Sequence, residues 1–225
     1  MRRLLGLALV AAIVGYLGWP YAVTIVSIED DGAQAGTFDP AAYVDGVWER
    51  LESTIRDESV DLASILGAMQ PNETGFAQKD ELTTVAEEFG LITAGEAHVY
   101  MVRATGTVTA VAADTSLGTL ELSVEGYEGP VVVEVYIGPR IPSDESSIRD
   151  AVGFISFGDF REQTEYGKVA SEINRRVSEA LSSLDPAQLD GARIRLFGAM
   201  TIRTFNLVEI DVRQVSVVPL WIEIE

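Results

Sequence analysis

The sequence contains no cysteine, one histidine and only two lysines in 225 residues. Without cysteine the chain can form neither a disulfide framework, nor a thiolate nucleophile, nor a cysteine-ligated metal site. Because His98 is the only histidine, catalytic histidine pairs and sites with several histidine ligands are excluded too. No phosphate-binding GxxxxGK[ST] loop is present. We therefore expect no metal and no cofactor, and we predict a structural role for His98.

Positive charge is also scarce, with 16 arginines and lysines against 35 aspartates and glutamates, for a formal net charge of −19. Such a surface repels nucleic acid and anionic lipid, so we predict no nucleic-acid partner. The acidity favours a solubilising surface, with steering of a cationic partner as the alternative. Apolar residues make up 47% of the chain, which is enough to bury a core.

The N-terminus contains the longest uncharged stretch. Arg2 and Arg3 precede residues 4–28, which carry no charge, and Glu29 follows directly. A helix of this length crosses roughly 30 Å of hydrocarbon, and the positive-inside bias places the later residues outside the cytoplasm. We predict that residues 1–28 form a transmembrane anchor or signal segment in the inner membrane and that residues 29–38 form an acidic tether.

Signal cleavage is the alternative to an uncleaved anchor. The residues Trp19-Pro20-Tyr21 resemble a membrane-interface belt, so the apolar helix ends near Gly18 in this interpretation. The small-x-small sequence Ala33-Gln34-Ala35 offers a cleavage site, and cleavage near Ala35 would release a secreted protein. Both interpretations place the remaining chain outside the cytoplasm.

Residues 39–95 are predicted to form a helical segment. Asp39-Pro40 provides an N-cap followed by proline at the first helical position, and Val44, Leu51 and Ile55 recur at helical spacing. A second helix begins near residue 59 and ends before Pro71. A third begins near residue 78 and ends at Gly90, a residue typical of a left-handed helix terminus.

Residues 96–225 change to a period of two, which predicts strands. Three strands, from 99–112, 120–124 and 131–137, form an antiparallel meander, a helix of about five turns follows from Tyr166, and two strands follow Pro186. This order predicts an α+β fold with an OB-like five-stranded β-barrel (β-β-β-α-β-β), whose helix plugs one end. The first strand, with Gly106 inside it, is long enough to curve and serve both sides of the barrel. A β-bulge is expected near Gln214, and the C-terminal PLWIEIE adds an edge strand.

Five stretches of the chain resemble a known bacterial family: AAYVDGVWE, VDLASILGAM, IGP at 137–139, IRDAVGFISFGDF and QTEYGKVASEIN. They are similar to predicted periplasmic lipoproteins of unknown function, which tend to be encoded beside sugar-type ABC transporter components. The resemblance implies an extracytoplasmic location and a transport context, and it brings no catalytic residues. The lipid-carrying cysteine is missing here, so we expect an uncleaved helix to replace the lipid.

The segment AVGFISFGDFREQTEY at 151–166 is the candidate site. In one interpretation Phe154, Ile155 and Phe157 fold under a barrel end, and Ser156 or Asp159 caps the next helix. In the other interpretation the segment is a rim that binds a ring-shaped ligand. The candidate ligand-binding residues are those whose rings would stack on the ligand and those whose polar groups would hold its hydroxyls: Phe157, Phe160, Arg149, Asp150 and Asp159.

The sequence contains no catalytic motif, so we predict that the protein is not an enzyme. The leading hypothesis is a membrane-anchored extracytoplasmic accessory protein beside a sugar-type solute transporter. It would bind a small polar solute or dock on ABC transporter components or a solute-binding protein. The first alternative is a cell-envelope adaptor without a small ligand, using the helical face around Trp48. The second is a hydrolase with an unrecognised carboxylate pair.

Overall fold

The computed structural model describes residues 37–142 and 144–225. The predicted membrane helix and the predicted cleavage site near Ala35 lie outside the described residues. Within the described part, no helix combines the length and the apolar character that a membrane span requires. Asp39–Glu225 forms one compact unit.

The described α-helices are α1 (Pro40–Glu58), α2 (Leu62–Met69), α3 (Lys79–Phe89), α4 (Ser147–Ala151) and α5 (Gln163–Leu181). Four of these five described helices follow the sequence-based expectations, and the short helix α4 was not predicted. The carboxylate of Asp39 accepts a hydrogen bond of 2.9 Å from the amide of Ala41, which caps α1 as predicted. Gly90 ends α3, but its backbone is extended and not left-handed. A side chain there would place Cβ 2.4 Å from the Val99 carbonyl oxygen, so close packing explains this glycine.

The described strands form a closed barrel with a small additional sheet. They are β1 (Val60–Asp61), β2 (Phe76–Gln78), β3 (Leu91–Ile92), β4 (Ala97–Ala112), β5 (Thr119–Val124), β6 (Val132–Tyr136), β7 (Arg193–Arg203), β8 (Glu209–Asp211) and β9 (Gln214–Ile224). The barrel order is β4-β5-β6-β9-β7, and β7 pairs with β4 again. The predicted antiparallel meander of β4, β5 and β6 is confirmed.

The first barrel strand, β4, serves both sides of the barrel as predicted. It pairs with β7 along Ala97 to Thr107 and with β5 along Gly106 to Ala112. The register against β5 shifts between Val108 and Ala110, which is a β-bulge. Gly106 lies where the two pairings overlap, and a Cβ there would approach the Ser123 carbonyl oxygen to 2.3 Å.

Two details at the C-terminal end differ from the sequence-based prediction. Residues 209–211 do not continue into the last barrel strand, because β8 pairs with β2 in a separate two-stranded sheet. The bulge in the last strand lies at Leu220 and not near Gln214, since the register against β7 shifts between Phe197 and Gly198. The C-terminal residues belong to β9 itself, between β6 and β7, and form no edge strand.

The barrel interior is sealed by α2 and α3. Leu62, Ile65, Leu66 and Met69 of α2 and Leu82 of α3 belong to the same buried cluster as the inward-facing residues of the barrel strands. The prediction that the helix between the third and fourth barrel strands plugs the barrel is therefore wrong. That helix, α5, packs outside the barrel against β9 and α1.

A second apolar layer lies on the outer face of the barrel. Val44 and Ile55 of α1 and Ile173 of α5 are fully buried, and α4 packs between α5, β4 and β7. An apolar helix stripe that covers a sheet face in this way stabilises both elements by removing apolar surface from water. The candidate segment connects α4 to α5, so this layer fixes its position.

Candidate functional site

The SFGDF residues form a capped turn between α4 and α5. A short 3-10 helix spans Phe157–Asp159, and the Ser156 amide donates to the Asp159 carboxylate at 3.1 Å. The prediction that Ser156 or Asp159 caps the following α-helix is wrong, because their cap closes the 3-10 turn. The helix α5 begins later, after Glu162. The turn is therefore held by its own hydrogen bonds.

The apolar residues of this segment have different environments. Ile155 is only 3% exposed, and Phe154 is partly buried with the Arg50 guanidinium 4.0 Å from its ring centroid. Phe157 is 55% exposed. The buried interpretation thus applies to Ile155, while Phe157 faces the solvent.

Four rings form what we call the aromatic cluster: Tyr43, Phe157, Phe160 and Tyr166. The Phe160 centroid lies 5.1 Å from that of Tyr43 and 5.4 Å from that of Tyr166. Phe157 meets Tyr166 edge-to-face at 5.7 Å. Aromatic pairs at these separations stabilise each other beyond the area they bury. The exposed ring of Phe157 is therefore held in place by Tyr166 and the capped turn.

Arg149 and Asp150 lie beneath this cluster and bind groups of the protein itself. Arg149 is 8% exposed, and its Nε donates to Asp150 at 2.8 Å, while an Nη donates to the Tyr166 carbonyl at 3.0 Å. The other oxygen of Asp150 accepts from the Ser146 hydroxyl at 2.6 Å. The role of Arg149, Asp150 and Asp159 in binding a ligand stays a prediction.

Tyr166 connects the ring cluster to the ion pair. Its hydroxyl donates to Asp150 at 2.8 Å, and the Arg149 guanidinium lies 3.5 Å from its ring centroid. Burial, reinforced by the negative charge of Asp150, raises the pKa of Tyr166 to about 12. Tyr166 is therefore a neutral hydrogen-bond donor at physiological pH.

A groove of about 460 Å³ lies between residues 139–142 and α5. Its lining includes Pro139, Arg140, Asn174 and Arg175, and it contains none of the five predicted site residues.

Gly138, the glycine of the IGP stretch, lies next to this groove in the sequence and is explained by close backbone packing. A Cβ on Gly138 would lie 1.9 Å from the Leu117 carbonyl oxygen, so only glycine fits there.

His98, the single histidine, lies inside the protein at the barrel end of β4. It is 1% exposed, and its Nδ1 has no hydrogen-bond partner among the described residues. Burial, followed by the nearby charge of Lys79, lowers the pKa of His98. This environment favours the neutral imidazole and agrees with a structural role.

The sequence profile of a family described as predicted periplasmic lipoprotein (DUF2291) matches residues 9–223. The chain belongs to this family. Membership places the protein in the periplasm, and the family's function is unknown. The lipid that the word lipoprotein implies is carried on a cysteine, and this sequence contains none.

A solved structure supports the same fold. The family member resembles a crystal structure of an OB-fold protein from Thermotoga maritima MSB8, with a TM-score of 0.62 and 17% sequence identity. The match covers 84% of this chain and all of the other. A comparison with curated protein sequences gave no match. At this identity the likeness concerns the fold alone, and it agrees with the predicted OB-like barrel.

Two members of the aromatic cluster were missed by sequence reasoning. Tyr166 was assigned only to the apolar face of α5, and Tyr43 lies 123 positions away in the first helix. The signal for Tyr166 was present, since it is the last residue of the candidate segment 151–166, six positions after Phe160. Tyr43 gave no signal, because its place depends on the packing of α1 against α5.

Proposed function

We propose that this family member is a non-catalytic accessory protein, held at the periplasmic side of the inner membrane by its N-terminal helix. In this proposal it docks on a component of a sugar-type ABC transporter. The docking group is the exposed Phe157 ring on the SFGDF turn. The membrane anchor rests on the uncharged residues 4–28, and the transport context rests on the family resemblance.

The observation that carries this proposal is the presentation of Phe157. Phe157 is 55% exposed, and contact of an apolar ring with water is unfavourable. The capped turn and Tyr166 nevertheless hold the ring outward. A fixed aromatic side chain loses little conformational entropy when a partner buries it, and such residues are typical anchors of protein interfaces.

The chemistry around Phe157 indicates the kind of partner surface. Asp159 and Glu162 are exposed and follow Phe157 within five residues, and the protein as a whole is strongly acidic. A matching partner surface has an apolar socket with a positively charged rim, because complementary charge speeds encounter and orients the two proteins.

Docking is better supported than solute binding at this position. A solute site would need free polar groups to hold hydroxyls, and the polar groups of Arg149 and Asp150 already bind Tyr166 and Ser146. The adaptor alternative based on Trp48 has less support, since that ring is partly buried with the Arg176 guanidinium 5.4 Å away.

Co-isolation from detergent-solubilised membranes of the native cells tests the proposal. The full-length protein should retain a transporter subunit or its solute-binding protein, identified by mass spectrometry, and Phe157→Ala should reduce the retained amount at least fivefold. Phe205→Ala is the matched control, because Phe205 is 61% exposed on a different loop. Equal retention by the wild type and the Phe157 variant would refute docking through the turn.

A further inference from the structure

The outer face of the barrel places an arginine and two aromatic rings side by side on three adjacent strands. Arg103 of β4 is the register partner of Phe197 on β7, and Phe197 is the register partner of Trp221 on β9. The Phe197 and Trp221 rings are stacked, with centroids 4.9 Å apart and an interplanar angle of 25°. Both rings are partly exposed. Because they are stacked, each covers one face of the other, and Phe197 presents its remaining surface beside Arg103.

Two further arginines border this surface, and we call the set the arginine–aromatic groove: Arg56, Arg103, Arg195, Phe197 and Trp221. The Arg56 guanidinium lies 5.1 Å from the Trp221 ring centroid. Arg195 lies in the next row of β7 and pairs with Glu225 at 2.6 Å. In this strongly acidic protein, three arginines around one aromatic surface form an unusual concentration of positive charge.

Arg56 and Arg103 are not neutralised by neighbouring carboxylates. Within the part of the chain that the structure describes, neither guanidinium forms an ion pair. Arg103 donates one hydrogen bond to the Ser59 carbonyl, and its remaining N–H groups can bind other acceptors. A guanidinium binds carboxylate or phosphate through two parallel hydrogen bonds, so both arginines can bind anions.

The space above Arg103 is a groove of about 350 Å³, within the range of small-molecule sites. Its lining comprises Asp61, Arg103, Ala104, Thr105, Arg195 and Phe197. Asp61 caps α2 through the Ala63 amide at 3.0 Å, and its carboxylate can still accept hydrogen bonds from hydroxyl groups. A carboxylate in the wall disfavours a simple anion, whereas it suits a ligand that has hydroxyls as well as a negative charge.

We infer that the arginine–aromatic groove binds a carbohydrate ring that carries one anionic group, either a carboxylate or a phosphate. The anionic group lies against Arg103 and Arg195, the ring face packs on Phe197, and Asp61 and Thr105 bind ring hydroxyls, since these residues line the groove. Trp221 supports Phe197 by stacking on it, and Arg56 lies over Trp221. This site does not involve Phe157 and does not depend on docking through the SFGDF turn.

Isothermal titration calorimetry on the full chain in detergent micelles tests this inference. The probes are D-glucuronate and D-galacturonate for the carboxylate source, glucose 6-phosphate for the phosphate source, and glucose and inorganic phosphate as the two halves of the ligand. We expect saturable binding of a uronate or of the sugar phosphate, at least tenfold tighter than that of either half. No saturable binding of any sugar acid at millimolar concentration, or equal binding of glucose or phosphate, would overturn the inference.

Variants locate the binding on the molecule. Arg103→Gln and Arg195→Gln should each weaken binding at least tenfold, which is the expected cost of losing a charge-assisted hydrogen bond. Because Arg103 also binds the Ser59 carbonyl, Arg195→Gln keeps the test valid if the first variant folds poorly. Arg140→Gln is the control, since Arg140 is an exposed arginine at a different groove. Equal affinity in the Arg195 and Arg140 variants would overturn the location.

Discussion

The Tyr166 hydroxyl donates a hydrogen bond of 2.8 Å to the Asp150 carboxylate, while the Arg149 guanidinium covers the Tyr166 ring at 3.5 Å. These contacts join α4 to α5 across the SFGDF turn. Because Phe157 packs edge-to-face on the same Tyr166 ring, the partly buried ion pair fixes the orientation of an exposed aromatic residue. The rigid presentation of Phe157 follows from this arrangement.

The Tyr166→Phe variant tests the hydroxyl contact. Loss of the hydrogen bond should lower the free energy of unfolding by about 1 kcal/mol at neutral pH, measured by urea denaturation. The pKa of Tyr166 is raised to about 12 from an ordinary value of 10. The hydroxyl's contribution is therefore complete below pH 10 and is lost as the pH rises toward 12.

Absorbance titration of the phenolate checks the same contact directly. Subtracting the titration curve of the Tyr166→Phe variant from that of the wild type isolates the signal of Tyr166. We expect a midpoint near pH 12. A midpoint near pH 10, the ordinary value for tyrosine, would show that the hydroxyl is exposed to solvent and would contradict the contact with Asp150.

Two substitutions in the candidate segment should lower the free energy of unfolding by very different amounts. Ile155→Ala removes a buried side chain and should cost about 2–4 kcal/mol of the free energy of unfolding. Phe157→Ala removes an exposed ring and should change stability by no more than about 1 kcal/mol, including its contact with Tyr166. Urea denaturation of both variants measures the difference. Comparable losses in the two variants would mean that Phe157 is a core residue.

Glycine substitutions test the close backbone packing beside the IGP stretch. Gly138→Ala places a methyl group 1.9 Å from the Leu117 carbonyl oxygen and should destabilise the protein by about 3 kcal/mol or prevent folding. Gly158→Ala is the matched control, since no atom lies within 4 Å of a Cβ at that position. Thermal unfolding should show a large decrease for the first variant and a small change for the second.

The contact between α1 and α5 should weaken in acid. Glu172 of α5 binds Arg175 at 2.7 Å and Arg176 at 2.9 Å, and Arg176 also binds Asp45 of α1 at 2.8 Å. The hydrogen bond from Arg175, with Arg176, lowers the pKa of Glu172 to about 2. This group therefore contributes stability above about pH 4.5, and the contribution is lost as the pH falls toward 2.

The Glu172→Gln variant measures that contribution. It should be less stable than the wild type at pH 7, and the difference should shrink to nothing near pH 2. Glu179→Gln is the control, because Glu179 is exposed and pairs only with the exposed Arg175 among the described residues, so it should have little effect. A Glu172 effect that does not depend on pH would contradict this account.

Sequence periodicity predicted the barrel strands and α1, α2, α3 and α5 because each repeats apolar residues at its own spacing. It could not decide which helix closes the barrel. Both helices have an apolar face, although α2 (LASILGAM) contains no charged residue and α5 contains several. Periodicity does not say what an apolar face packs against, and tertiary packing places α2 at the interior and α5 in the outer layer. The pairing of β8 with β2 was missed for the same reason, since alternation does not name a partner strand.

The candidate site was predictable in part. The SFGDF residues stand out as an aromatic stretch beside charged residues, and the structure shows Phe157 exposed there. The arginine–aromatic groove gave no comparable signal, because Arg103, Phe197 and Trp221 are far apart in the sequence and come to neighbouring positions only through strand register.

Site-specific photo-crosslinking in the native cells tests the central claim most directly. A photoreactive phenylalanine analogue replaces Phe157 in the full-length protein, and a matched protein has the analogue at Glu121, which is exposed on β5. We predict that position 157 crosslinks to a subunit of a sugar-type ABC transporter or to its solute-binding protein and that position 121 does not. No crosslink from position 157, or the same products from both positions, would contradict docking through the turn.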